Sequence, residues 1–354
     1  MRSCTIAVLC VASFCSLCPP AFAAKQRPAA QPAPAALTAQ SVNDSVAGAK
    51  AGKGADAAIV KAGVLLDRAG FSPGVVDGRD GENFKKALIA FQKENGLQTS
   101  GRLDQQTWSA LAEGSDQPVL VEYEIAPADV KGPFLRKLPR RMEDMAHLPR
   151  LSYTSAREGL AEKFHMSEDL LRALNPRISF DQAGARIAVA NVKRVGRAPG
   201  ETTSSGGGAQ KENTKGPAAA KVEVDKKERA LRVFGEDGKL IAYFPATIGS
   251  AEKPAPSGSF KVNQIAYDPT YRYDPKYAFK EIKVQRKFTI KPGPNNPVGL
   301  VWIDLTAQSY GIHGTPNPEQ ISKTQSHGCV RLTNWDALAL AAMVRKGTPV
   351  DFVD

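Results

Sequence analysis

The stretch from Gly200 to Lys215, with Ser204-Ser205-Gly206-Gly207-Gly208 at its centre, divides this chain into two parts of different periodicity. Gly/Ser-rich sequence of this kind behaves as a flexible linker. Before it, apolar residues recur at the spacing of helix faces; after it, short runs alternate as strands do. At 354 residues the chain is long enough for two or three domains. The fold class implied is multidomain α+β, with helical units first and a β-rich domain last.

Residues 1–23 read as an export signal. Arg2 supplies a positive start, Cys4 to Leu17 is apolar, and Ala21-Phe22-Ala23 is a small-x-small cleavage site. Phe14 and Leu17 precede Cys15 and Cys18 where a lipoprotein site needs a small residue. No later segment reaches the roughly 18 apolar residues of a membrane helix. The reading is therefore an exported protein, of the periplasm or cell wall, with no integral membrane segment after the signal leaves. The formal charge of +11 falls to +10 without Arg2. No Lys/Arg block or nucleic-acid fold signature accompanies it, so a polyanionic wall fits better than nucleic acid. Residues 24–55 are rich in Ala, Pro, Gln and Lys, too poor in large apolar residues to bury a core, and read as a disordered tether.

Over 56–113, Ile59, Val60, Val64 and Leu65 share a helix face that stops at Gly70. Phe84, Leu88 and Phe91 line a second helix ending at Gly96, and Asp104 caps a third with Trp108 and Leu111. With the Asp77-Gly78 turn, Ala90-Phe91-Gln92 and Gly101, this unit resembles the three-helix peptidoglycan-binding domain. Residues 114–150 carry prolines and a basic cluster over Arg136–Arg141, and no chemistry is assigned to this connecting segment. In 151–192, Tyr153-Thr154 reads as a strand, and Ser155 and Ser167 open two helices. The second breaks at Asn175-Pro176, and Ile187 and Val189 close the unit. The βααβ order resembles the glycan-binding LysM unit, although Ala156-Arg157-Glu158 stands where that family has Gly-Asp. A flexible linker, 193–220, and a β-rich domain, 221–354, complete the chain. Strands are expected over Lys221–Asp225, Leu231–Phe234 and Leu240–Phe244, and a helix over Trp335–Arg345.

Chemistry concentrates in the β-rich domain. Cys329 is the only cysteine beyond Cys18, and His313 and His327 lie within sixteen residues of it. A thiol attacks as thiolate and needs a base nearby, because its ordinary pKa of about 8.5 leaves it mostly protonated at neutral pH. Pro256-Ser257-Gly258-Ser259-Phe260, Asn295-Asn296-Pro297-Val298-Gly299, Gly311-Ile312-His313-Gly314-Thr315 and Ser326-His327-Gly328-Cys329 follow in order. Together they resemble the YkuD-type L,D-transpeptidases of bacterial cell walls.

That resemblance implies a mixed β-sandwich with the cysteine in a groove. It implies Cys329 as nucleophile toward the diaminopimelate carbonyl of a tetrapeptide stem, with terminal D-alanine leaving and a thioester remaining. His313 is the implied base and the Gly314 carbonyl its orienting group. Backbone N–H groups around Gly328 and Cys329 are candidates for the oxyanion site. Two roles fit His327, steadying the thiolate or positioning the loop. Two fit Arg331, holding a substrate carboxylate or making a salt bridge inside the loop. Ser326 is expected to bond the loop backbone. The Tyr267–Pro275 segment reads as a lid over the groove or as an ordinary connection.

The expected partners are peptidoglycan stem peptides and glycan, with an outer-membrane lipoprotein as one conceivable acyl acceptor and a carbapenem as inhibitor. No cofactor is expected. Zinc on His313, His327 and Cys329 is the metal alternative, but ligands separated by one glycine are poorly spaced for it. Transfer to an amine gives a 3→3 cross-link or lipoprotein anchoring. The competing readings are an L,D-carboxypeptidase or amidase of the wall, and a non-catalytic wall-binding scaffold.

Overall fold

A computed structural model describes Met1 and residues 37–47, 54–193, 217–277, 284–326 and 328–354. The expected signal beyond Met1 and the Gly/Ser stretch of the linker lie outside the described residues. A short helix, α1 (Ala39–Asn43), falls inside the segment expected to be a disordered tether and corrects that expectation in part. Its physical basis is specific. Val42 is fully buried, and the Asn43 amide accepts from Leu120 N–H and donates to Leu120 O.

The helical unit consists of α2 (Ala57–Arg68), α3 (Glu82–Glu94) and α4 (Gln105–Ala112). The Asp56 carboxylate accepts from Ala58 and Ile59 N–H to start α2, and Asp104 does the same for α4 through Thr107 N–H. Gln92 is fully buried on α3. Its amide donates to Arg102 O and Thr107 Oγ1 and accepts from Gly101 N–H, so one side chain ties α3 to the turn before α4.

The middle unit departs from the expected order. Strand β1 (Leu120–Glu124) lies in the segment left without assignment, and it pairs antiparallel with β2 (Arg186–Ala190). Tyr153-Thr154, expected as the first strand, is not in a strand. Between β1 and β2 run α5 (Pro127–Val130), α6 (Met142–Met145), α7 (Ala156–Lys163) and α8 (Glu168–Leu174). Ser155 and Ser167 cap the last two as expected. Asn175 is buried, bonding Leu171 O, Ala188 O and Ala188 N–H, which locks the end of α8 to β2.

The C-terminal domain holds β3 (Lys221–Asp225), β4 (Ala230–Phe234), β5 (Leu240–Pro245), β6 (Thr247–Ile248) and β7 (Gly258–Tyr267). These are followed by β8 (Tyr271–Tyr273), β9 (Phe288–Ile290), β10 (Val301–Leu305), β11 (Gly311–His313), β12 (Val330–Arg331), α9 (Asn334–Met343) and β13 (Pro349–Val353). The mixed sheet runs β5-β4-β3-β13-β7-β10-β11-β12-β6, while β8 and β9 form a separate hairpin. Long strand β7 serves both halves, pairing first with β13 and then with β10. Val222, Val224, Leu231 and Val233 from one half share a core with Val301, Ile303, Ile312 and Val330 from the other and with α9. Among the described residues no helix is long and apolar enough to cross a membrane.

A flexible linker suggests modules with few contacts between them. The structure differs: Ala36–Asp354 forms one compact unit. Gly70–Ser72 extends the edge of β5, with Ser72 N–H donating to Tyr243 O and Tyr243 N–H to Gly70 O, both at 2.9 Å. Val76 pairs in the same way with His165 and Ser167. Leu151 N–H donates to Pro292 O, and Asn295 N–H donates to Leu151 O. Asp67 lies 2.9 Å from His165 Nδ1, His165 stacks on Trp335, and Ser72 Oγ donates to Asp336. A buried polar cluster thus joins all three units.

Candidate active site

Strands β11 and β12 are adjacent and parallel, with Ile312 opposite Val330 and His313 opposite Arg331. Side chains alternate along a strand. Cys329, one residue before β12, therefore shares a face with Arg331, and that face also carries His313. The pairing brings two motifs from different stretches of sequence to one surface.

The turn before Cys329 is fixed by sterics. Gly328 has φ +104°, and a Cβ there would lie 2.6 Å from the Tyr310 ring and 3.2 Å from Pro254 O. Only glycine fits this position without displacement. Ser326 is fully buried; its N–H donates to Gly249 O and its Oγ donates to Cys329 O at 2.6 Å. The nucleophile candidate is thus held by its own carbonyl. Its Sγ is 3.9 Å from Ser309 O. Burial pushes the Cys329 thiol up, while the Gly311 backbone hydrogen bond and the Arg331 charge act in the opposite direction.

His313 is 4% exposed, and its ring stacks on Trp302 at 5.5 Å. His313 Nδ1 lies 2.7 Å from Gly314 O. A carbonyl oxygen only accepts, so Nδ1 carries the proton and Nε2 is the basic nitrogen of the neutral ring. Gly314 packs so closely on Asn334 that a Cβ would meet Asn334 Oδ1 at 2.3 Å. Arg331 donates to the main-chain carbonyl of Gln325 at 3.0 Å and is pushed down by burial, against the neighbouring Cys329 and Tyr271. His327 lies outside the described residues. Among the described residues no group of three or more His, Cys, Asp and Glu side chains is placed to hold a metal.

Several neighbours were not singled out from the sequence. Tyr271, on β8 of the Tyr267–Pro275 segment, has its hydroxyl pushed up by burial and by the facing Cys329. Its segment was marked by aromatic and proline content, but nothing local marked this tyrosine. Trp302 and Asn334 were silent in sequence, because their value comes from strand pairing and packing. Two hollows flank the Ser326 loop. One of about 170 Å³ is lined by Thr247, Thr315, Asn317, Gln320 and Arg331, among others. One of about 300 Å³ lies toward Lys226, Arg229 and Ser250. The first touches the Cys329 face through Arg331.

Residues 219–352 match the family model described as the L,D-transpeptidase catalytic domain, and 57–111 match a putative peptidoglycan binding domain. The putative L,D-transpeptidase YqjB of Bacillus subtilis is 31% identical over 144 residues, 39% of this chain and 73% of that protein. The chain belongs to the L,D-transpeptidase family. The putative L,D-transpeptidase YkuD of Bacillus licheniformis is 28% identical over 195 residues, 54% of this chain and 90% of that protein. A solved L,D-transpeptidase from Mycobacterium smegmatis aligns at 22% identity and a TM-score of 0.30, over 38% of this chain and 58% of that one. The L,D-transpeptidase catalytic match coincides with the mixed sheet, and Cys329, His313 and Arg331 all fall within it.

Proposed function

We propose that this protein is a peptidoglycan L,D-transpeptidase working through a cysteine thioester. The observation that carries the reading is the pairing of β11 with β12, with Cys329 and His313 on one face and His313 Nδ1 held at 2.7 Å by Gly314 O. Burial pushes the thiol up, so the step needs a base, and His313 Nε2 is the nitrogen that takes the proton.

The Cys329 thiolate attacks the diaminopimelate carbonyl in a tetrapeptide stem. The amide C–N bond breaks, imidazolium returns its proton to the leaving D-alanine amine, and a thioester remains. An amine of a second stem then attacks that carbonyl, the C–S bond breaks, and the thiol is regenerated as a 3→3 cross-link forms. A lipoprotein lysine in the same place gives anchoring, and water gives carboxypeptidase activity. Gly314 orients the base, Ser326 and Gly328 shape the loop, and backbone N–H groups near Cys329 receive the oxyanion. Such donors contribute roughly 10²–10³ in rate each. Arg331 faces the thiol and suits a substrate carboxylate. The N-terminal units hold the enzyme on glycan in the periplasm or wall, and a carbapenem acylates the same thiol.

Defined tetrapeptide muropeptides, incubated with the full chain and resolved by mass spectrometry, test this function. Cross-linked dimers with released D-alanine support transfer, and tripeptides alone mark a carboxypeptidase. Fragments cut between existing cross-links, with no thioester formed, contradict the proposal.

A further inference from the structure

We infer that Glu162, on α7 of the middle unit, is a positioning residue for the His313 imidazole, acting through the Asn334 amide on the Gly314 peptide. The inference rests on the proposed role of His313 and adds to it a part played by a separate unit of the chain.

Asn334 has two ends with opposite demands. Its Oδ1 accepts from Leu300 N–H at 3.2 Å and is wedged between Gly299 and Gly314, where added Cβ atoms would come within 2.1 and 2.3 Å. Its Nδ2 donates to Glu162 Oε2 at 3.0 Å and to Pro294 O at 3.2 Å. Asn334 and Glu162 are both buried. A flipped amide would aim its NH2 at the Leu300 N–H and its oxygen at both the Pro294 carbonyl and the accepting Glu162 Oε2, which is donor against donor and acceptor against acceptor. Glu162 therefore helps to decide which way the amide faces. The correctly facing oxygen presses on Gly314, whose own carbonyl holds His313 Nδ1 at 2.7 Å.

Glu162 is an unexpected group in this place. Its neighbours Leu160, Ala161 and Phe164 serve the core of its own unit, whereas its carboxyl crosses to the β domain. Tyr153 OH donates to the same oxygen at 3.1 Å. Burial pushes the Glu162 carboxyl up to about 8. The neutral acid offers that oxygen as a carbonyl acceptor, a role a glutamine carboxamide reproduces. Perturbed buried groups cluster at functional sites, and here the geometry states which site is served.

The test uses the full chain with Glu162→Met, which keeps volume and removes the acceptor, and Glu162→Gln, which keeps it. Carbapenem acylation at pH 7 is followed by intact mass, and Cys329 alkylation by iodoacetamide is followed from pH 6 to 10. The folded Met variant should acylate roughly 10–100-fold more slowly, below the full 10²–10⁴ of a lost base. Its alkylation deficit should narrow as pH rises, because a growing share of the thiol ionises without imidazole. The Gln variant should stay within about threefold of the parent, as expected when a hydrogen bond is conserved. A folded Met variant at the parental rate, a deficit equal at pH 7 and 10, or a Gln variant as slow as Met would overturn the inference. Should Met not fold, Glu162→Asp withdraws the carboxyl by one methylene and carries the same expectations. If the parent takes no carbapenem, the transferase reading fails, while the alkylation profile still decides the positioning role.

Discussion

Replacing Asp336 by asparagine should make the protein progressively more stable than its parent as pH rises from about 4 to 7. Asp336 is 2% exposed, sits in the first turn of α9, and accepts from Ser72 Oγ at 3.0 Å across the unit boundary. Burial, and then the charge of Asp67, push its carboxyl up from 3.8 to about 7; Ser72, His165 and Thr333 oppose the shift without cancelling it. The sign follows from proton binding. Below pH 4 both folded and unfolded chains hold the proton. Between 4 and 7 the folded chain keeps a proton that the unfolded chain has released, so stability falls as pH rises; above 7 the loss is complete. Moving the carboxyl from 3.8 to about 7 at about 1.36 kcal/mol per pH unit amounts to about 4 kcal/mol. Asparagine keeps an acceptor for Ser72 and never ionises. Urea unfolding of both proteins at pH 4, 5, 6, 7 and 8, read by tryptophan fluorescence, isolates the residue, because every other titrating group is common to the pair. The stability difference should grow by several kcal/mol across the series. A difference that is flat with pH would refute the account of this buried cluster.

His313→Ala should slow acylation by 10²–10⁴-fold at pH 7, measured by stopped-flow with a carbapenem, and the loss should shrink as pH rises through the thiol range. A chain beginning at residue 217 should unfold at a lower temperature than the full chain in calorimetry. Truncation leaves Tyr243, Asn295, Asn334 and Asp336, all buried in the full chain, without the Ser72, Glu158 and Glu162 partners that cover them. An unchanged melting temperature would mean that the unit contacts contribute nothing to the stability of the β domain.

Local signals were the legible ones. Asp104, Ser155 and Ser167 cap helices where their sequence positions say they should, because a cap needs only the next three residues. The strands expected over Lys221–Asp225 and Leu240–Phe244 and the helix expected over Trp335–Arg345, read from alternation and helical period, meet β3, β5 and α9 to within one or two residues at each end. The resemblance carried by the ordered His313 and Cys329 motifs implied a shared candidate site. What stayed hidden was non-local. Leu120–Glu124 finds its partner more than sixty residues later, with four short helices and an unassigned basic segment between. Glu162 looks like a solvated helix residue until Asn334, 172 residues away, is placed against it. The Gly/Ser composition of 200–215 carried an expectation of few contacts across it, and said nothing about whether the faces on either side fit together.

The most direct test of the central claim is intact-mass analysis of the full chain after brief exposure to a disaccharide-tetrapeptide. The account predicts a covalent adduct equal to the stem less D-alanine, located on Cys329 and absent from a folded Cys329→Ala variant. An adduct of normal yield on the alanine variant, or turnover of substrate by that variant, would contradict it.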